Sequence, residues 1–401
     1  MIYILYLLSI SFFMYKVNKY ELVFFIILFM PSFVILIQYI TNIPLIPMNM
    51  EIHTPELLRK GLIVYSIFLI FFKLGLLSAR NKKLKILNNV VIIKTRFVSI
   101  FYAIIFIFLL ILQRPSSTIY GGFRYGLDKV ERALTINTIP IILFTILIFY
   151  LVKIITTKKM SKDYIYFTFL YMVGAVYYNF LMGYRVEALG FSIAIYFLLV
   201  TILSKKQNRN LTILMIILIL FLWSLGFTRY GGVLTFDRLI SSFSTFSHLS
   251  NSYLVCIDMV DNNPNYDLQG FTFLIDNLLS TLPASFTPIE RPIPIATRIS
   301  ISEYTSTGGI YWFGSVYWSF GFFGVVYIYL FGFFLGILNN YREYIGTIGN
   351  YMFIISIMLA FRFLYYGGLS LYKGFIVLFL FLFILKITEI ILKRNKGVNY
   401  I

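Results

Sequence analysis

Residues 21–40 read ELVFFIILFMPSFVILIQYI, in which only the first residue is charged. An α-helix of about 20 residues covers the roughly 30 Å of hydrocarbon in a bilayer. Similar blocks recur along the chain, which is 60% hydrophobic, 12% charged and has a mean hydropathy of +0.86. A soluble domain could not keep such segments in water, so the sequence predicts an all-α polytopic membrane protein.

The spacing of these blocks predicts about eleven transmembrane helices and one large, partly helical loop. The helices are predicted near 2–15, 21–40, 57–78, 97–113, 136–152, 163–182, 186–203, 211–227, 313–337, 346–366 and 371–392. The first block lacks the basic start and the cleavage site of a secretory signal, so we expect it to be retained. The chain then divides into helices one to eight at 1–227, the loop at 228–311 and helices nine to eleven at 312–401.

Lysine marks every second connection between these helices, and the positive-inside rule assigns those connections to the cytoplasm. The N-terminus is then predicted outside, with sixteen lysines and five arginines on the inner side against three lysines and ten arginines outside. The net charge of +18 matches anionic lipid heads on the inner side. Nucleic acid is not an expected partner, because no basic patch is interleaved with aromatic residues.

The ten outer arginines indicate that an anion is bound on that side. A guanidinium is planar, weakly hydrated and able to meet two phosphate oxygens at once, which suits a pyrophosphate at an apolar boundary. The loop at 228–311 carries seven of the sixteen acidic residues. Its length predicts a folded lid or binding subdomain. Helical spacing of apolar residues in two of its segments predicts amphipathic helices that lie on the bilayer or cap the bundle.

Cysteine and histidine are too scarce for most metal chemistry. Cys256 is the single cysteine, which excludes an internal disulfide and a cysteine-based zinc site, and His53 and His248 are the two histidines. The sequence around His248 is typical of an amphipathic surface helix. We expect no metal and no cofactor.

Two patches of this sequence resemble the O-antigen polymerases, the Wzy-type oligosaccharide repeat-unit polymerases. They are the short outer turn Gly183-Tyr184-Arg185 and the junction from Gly308-Gly309 through Tyr311-Trp312-Phe313-Gly314-Ser315 to Phe320-Gly321-Phe322-Phe323-Gly324. The likeness in topology covers nearly the whole chain, with the long loop preceding the last three helices. Members often carry a glutamate shortly before the Phe-Gly pair, where this chain reads Ser315-Val316-Tyr317-Trp318-Ser319.

The resemblance implies a glycosyltransferase of the bacterial inner membrane. Such an enzyme joins undecaprenyl-diphosphate-linked oligosaccharide units on the periplasmic face, with one lipid-linked unit as donor and another as acceptor. A chain-length regulator and a flippase are expected partners by family analogy only. The absence of a Rossmann-type glycine-rich turn agrees with a reaction that uses no nucleotide sugar.

That reaction requires cations at the departing diphosphate, a base at the attacking hydroxyl and surfaces for sugar rings. The candidate diphosphate ligands are Arg185, Arg229, Arg291, Arg298 and Arg362. The candidate bases are Glu187, Glu290 and Glu303, followed by Asp237 and Asp276. The candidate sugar-stacking rings are Tyr230, Tyr304, Tyr311 and Trp312, which equally fit an interfacial aromatic belt.

Simpler roles and other functions remain open from the sequence. Arg185 could pair with Glu187, and Arg362 could snorkel to the interface. An O-antigen ligase of similar architecture would use a histidine of the large loop, for which His248 is available. A lipid-linked oligosaccharide flippase would be expected to show internal repeats and charges near the midplane. A structural scaffold would leave Arg185 and Arg362 unexplained.

Overall fold

The computed structural model describes part of the chain, and within that part the secondary structure is helical. The described residues are 2–41, 54–81, 189–190, 192–194, 196–197, 209–215, 217, 243–262, 310–341, 347–366, 371–372, 374–376, 378–379, 383 and 387. The helices are α1 (Ile2–Met14), α2 (Lys19–Thr41), α3 (Pro55–Ser78), α4 (Phe243–Asn262), α5 (Trp312–Phe320), α6 (Gly324–Tyr341), α7 (Thr347–Met358) and α8 (Ala360–Tyr366). These ranges contain no β-strand.

Three stretches of the described chain are long and apolar enough to cross a membrane. They are Lys19–Thr41, Pro55–Ser78 and Trp312–Asn340. The first two coincide with predicted helices to within about two residues at each end, the uncertainty usual for helix boundaries. The helical membrane character is therefore confirmed. The predicted helices at 97–113, 136–152 and 163–182 lie outside the described residues, and those at 186–203, 211–227 and 371–392 are described only in part.

The predicted ninth helix, 313–337, reverses direction instead of crossing as one rod. The rings of Trp312 in α5 and Phe331 in α6 have centroids 4.8 Å apart. In one continuous helix these positions would be about 28 Å apart, at 1.5 Å per residue. The chain turns back at Gly321, whose φ of 55° suits glycine. The single straight helix is therefore wrong: α5 and α6 form a helical hairpin, and α6 alone spans about 27 Å.

Glycines bring α3 and α6 into direct backbone contact. A Cβ built on Gly332 would lie 2.3 Å from the carbonyl oxygen of Phe72, and one on Gly75 would lie 2.2 Å from that of Tyr329. Further along, Gly336 approaches Leu76, so the two helices run in the same direction. Small residues at such a seam allow close packing of helices in a bilayer, where apolar side chains gain little by leaving lipid.

The helix containing His248 lies inside the helix group and not on a surface. In α4 the nine residues 249–257 are all buried, although an amphipathic surface helix would bury one side only. Tyr253 donates its hydroxyl proton to the carbonyl of Gly61 in α3 at 2.8 Å, and Ser250 donates to the carbonyl of Pro31 in α2 at 2.7 Å. The expected helix is thus present, but its predicted surface position is wrong.

Candidate functional site

Most of the predicted site residues lie outside the described part of the chain. These are Arg185, Glu187, Arg229, Tyr230, Glu290, Arg291, Arg298, Glu303 and Tyr304, together with Asp237 and Asp276. Their grouping into one pocket stays a prediction. Tyr311, Trp312 and Arg362 are the predicted site residues that the structure describes.

Tyr311 and Trp312 lie in the core at the start of the hairpin. Tyr311 is fully buried, and its hydroxyl donates to the carbonyl oxygen of Leu28 in α2 at 2.9 Å. Trp312 is 1% exposed and packs among the rings of Phe72, Phe331 and Phe363. A sugar ring could reach either side chain only if this packing opened. Neither residue belongs to an interfacial belt in this structure, so that alternative is wrong.

Arg362 is half-buried in the short helix α8, which packs against α2 and α5. Three residues further along the same helix, Tyr365 donates its hydroxyl proton to the carbonyl of Ile27 at 3.1 Å. The helix that carries this arginine is therefore anchored to the middle of α2. The proposed diphosphate-binding role of Arg362 stays a prediction.

A polar cluster that the sequence did not predict joins Lys60 of α3, Asp261 of α4 and Tyr317 of α5. One carboxylate oxygen of Asp261 pairs with the ammonium of Lys60, and the other accepts a hydrogen bond from the Tyr317 hydroxyl at 3.1 Å. The side chains of Lys60 and Asp261 are 39% and 21% exposed. No spacing rule links positions 60, 261 and 317 in the sequence.

The surroundings of this cluster suit a ligand that carries hydroxyl groups. The ring of Phe322, in the turn of the hairpin, lies edge-on to the Tyr317 ring with centroids 5.4 Å apart and is 49% exposed. Arg59 is exposed beside Lys60 in the first turns of α3. The partly exposed ammonium of Lys60 and carboxylate of Asp261 can bind hydroxyls, and the exposed ring of Phe322 can pack against one face of a sugar. The Tyr317 phenol is 1% exposed and holds the carboxylate in place.

Metal and thiol chemistry receive no support from the described residues. Among them, no group of three or more histidine, cysteine or acidic residues could hold a metal ion. Cys256 lies fully buried in α4, and this burial raises the pKa of its thiol because a thiolate would be poorly solvated there. Cys256 therefore acts as a small packing residue and touches the hairpin near Gly314.

Searches of protein-family models, curated proteins and solved structures gave no match to this chain.

Proposed function

We propose that this protein is an inner-membrane glycosyltransferase that polymerises undecaprenyl-diphosphate-linked oligosaccharides into O-antigen polysaccharide on the periplasmic face. The observation that carries the proposal is the segregation of the basic residues: ten of fifteen arginines fall on the predicted outer side, which has only three lysines. A topology signal alone would deplete both residue types there. Arginine in excess of lysine suits a phosphate-rich ligand at an apolar boundary.

The proposed reaction assigns each group a task. The arginine set, Arg185, Arg229, Arg291, Arg298 and Arg362, stabilises the negative charge that grows on the departing lipid diphosphate. One of Glu187, Glu290 and Glu303 removes the proton from the attacking sugar hydroxyl. The protein crosses the membrane many times, with this chemistry on the outer face. One lipid-linked unit serves as donor and another as acceptor.

The cluster of Lys60, Asp261 and Tyr317 supports a saccharide ligand on the same side. It lies near the Pro55 end of α3, which the lysine pattern assigns to the periplasm. Its groups offer donors and acceptors to hydroxyls, beside the exposed ring of Phe322. This support comes from side-chain contacts and not from the arginine count, although both take the outer side from the lysine pattern.

Arg185→Lys in the cell tests the diphosphate-binding role. Lysine keeps the charge but loses the planar fork, so we expect a loss of long-chain lipopolysaccharide at unchanged protein level. Arg209→Lys, at an exposed position on the predicted cytoplasmic side, is the matched control and should keep the full ladder. Long chains that persist with Arg185→Lys would exclude Arg185 as a diphosphate ligand.

A deletion strain separates the polymerase from the other candidate functions. Loss of a polymerase leaves lipid A core carrying a single repeat unit, whereas loss of a ligase or a flippase leaves bare core. We expect the single-unit band on a silver-stained gel, restored to a ladder by a plasmid copy. Bare core in the deletion strain would reject the polymerase. A ligase would then need a role for His248, which lies in α4.

A further inference from the structure

A buried charge cluster joins α2 and α3 at the end opposite to Lys60 and Asp261. Glu21 is 1% exposed, and its two carboxylate oxygens lie 2.5 Å from Lys73 Nζ and 2.5 Å from Arg80 Nη2. Lys73 is fully buried within α3, while Arg80 follows that helix and is 23% exposed. Charges inside a membrane protein are costly and persist only when they are paired.

The same cluster fixes the turn between α1 and α2. Asn18 precedes α2, and its side-chain oxygen accepts from the Glu21 amide at 2.9 Å while its side-chain nitrogen donates back to the Glu21 carboxylate at 3.1 Å. The first bond caps the N-terminus of α2, and the second ties the Glu21 carboxylate to the residue before the helix. Arg80 also donates to the backbone carbonyl of Lys16 at 2.6 Å. The arginine thereby holds Lys16 in place at a φ of 48°.

Counted over the described residues, the cluster carries one unit of positive charge in excess, since the carboxylate of Glu21 faces the two cations Lys73 and Arg80. Glu21 neutralises Lys73 at the buried end, so the excess lies at the partly exposed Arg80. The Nη2 atom of Arg80 makes both of its hydrogen bonds, and its Nε and Nη1 have no hydrogen-bond partner among the described residues. Within the described part of the chain, three of the five N–H donors of this guanidinium thus have no protein acceptor. Lys16, whose backbone carbonyl Arg80 binds, is exposed and brings a second cation to this end of the helices, with its Nζ 5.1 Å from the centroid of the Tyr15 ring.

Exposed apolar side chains stand close in sequence to the residues of this cluster. Met14, at the end of α1, is 42% exposed, and Leu74, near the end of α3, is 37% exposed. The cluster therefore lies where an apolar helix surface meets the polar end of the helices. Cations at such a boundary face the phosphate of a lipid whose acyl chains cover the apolar surface. A soluble anion would have no use for the apolar part.

We propose that Arg80 and Lys16 bind the phosphate of an anionic membrane lipid, in the leaflet that the lysine pattern assigns to the cytoplasm. The lipid supplies the negative charge that the cluster lacks and stabilises the turn between α1 and α2 against α3. The site is structural and does not depend on the glycosyltransferase activity.

Native mass spectrometry of the purified full chain in detergent tests this site. The probes are phosphatidylglycerol, phosphatidylcholine and inorganic phosphate. The wild-type chain should bind phosphatidylglycerol in preference to phosphatidylcholine. Lys16→Gln should weaken phosphatidylglycerol binding about fivefold, the effect of one cation at an anionic surface. Arg59→Gln removes the same charge from an exposed position at the other end of α3 and should weaken phosphatidylglycerol binding less than Lys16→Gln does.

Three outcomes of these measurements would overturn the proposal. Equal binding of the two lipids by the wild-type chain overturns the proposal, and so does equal weakening by Lys16→Gln and Arg59→Gln. Displacement of phosphatidylglycerol by millimolar inorganic phosphate would indicate a free-anion site and would also overturn it. Arg80→Lys adds a second measurement, in which reduced lipid binding by a folded variant supports the proposal. If Arg80→Lys does not fold, Lys16→Gln still tests the lipid site, because Lys16 contacts Arg80 through its backbone carbonyl and its side chain can be changed without breaking the ion pairs.

Discussion

Removal of the Tyr365 hydroxyl should destabilise the protein through the proline of α2. Pro31 lies inside this helix and has no N–H, so the carbonyl of Ile27, four residues earlier, loses its helical partner. The Tyr365 hydroxyl donates to that carbonyl at 3.1 Å. Substitution of Tyr365→Phe keeps the ring and its packing and leaves this buried carbonyl without that donor. Neighbouring helices commonly supply such donors to prolines in membrane helices.

Tyr365→Phe should lower the free energy of unfolding by about 1–3 kcal/mol, the penalty for a buried carbonyl left without a hydrogen bond. Tyr311→Phe is the matched control, because Tyr311 donates to the next carbonyl, that of Leu28. In a regular helix the Leu28 carbonyl also accepts from the amide four residues on, and Ser32 has one. Tyr311→Phe should therefore cost only about 0.5–1 kcal/mol, the range for a hydrogen bond between membrane helices.

A double-mutant cycle with Pro31→Ala isolates the effect. The restored amide at position 31 can bond the Ile27 carbonyl, so Tyr365→Phe should cost about 1 kcal/mol less in that background than in the wild-type chain. Tyr311→Phe should cost the same in both backgrounds. Unfolding by sodium dodecyl sulfate, followed by tryptophan fluorescence in mixed micelles, gives the four free energies. An equal cost of Tyr365→Phe in both backgrounds would refute the argument.

Two further predictions test the packing and the buried charges by the same unfolding measurement. Gly332→Ala should lower the free energy of unfolding by about 1–3 kcal/mol, because its Cβ would meet the Phe72 backbone. Gly61→Ala should lower it less, because its Cβ would meet a movable leucine side chain. Equal losses for the two variants would contradict rigid packing between α3 and α6. Glu21→Gln should lower the free energy of unfolding by about 3–5 kcal/mol, because it leaves Lys73 buried without a counter-charge. Adding Lys73→Met should recover most of this loss. A double variant no more stable than Glu21→Gln alone would count against this account.

The sequence predicted the helices whose signal is local. Residues 2–15, 21–40 and 57–78 were identified from apolar length, and α1, α2 and α3 match them closely. The start of α3 also follows a local rule: Thr54 accepts from the amide of Leu57, and Pro55 occupies the first helical position. Length and capping depend on a few neighbouring residues, so a single sequence reveals them.

The contacts that organise the site join residues far apart in sequence. Glu21 and Lys73 were visible as charges within or beside apolar segments, yet nothing local showed that they pair. The same holds for Lys60 and Asp261, which are separated by about half of the chain. Apolar periodicity shows that a residue lies on a buried face and does not show which helix it faces. The polar clusters therefore required the structure.

The hairpin explains why Tyr311 and Trp312 were misplaced. Their aromatic character near a predicted helix end is typical of a membrane interface, and both the belt and the sugar-binding interpretations assumed that position. The Tyr311 hydroxyl instead reaches Leu28, which lies near the middle of α2, so the chain enters the hairpin from within the bundle. Non-helical backbone at such depth must have its polar groups satisfied by protein. The Tyr311 amide donates to the Ser252 hydroxyl at 3.3 Å, and its carbonyl accepts from the Ser315 amide at 3.1 Å. Ser252 of α4 thus satisfies the backbone where the buried chain enters the hairpin. A prediction that leaves α4 on the surface has no such partner for Tyr311, so the errors in placing α4 and the hairpin are linked.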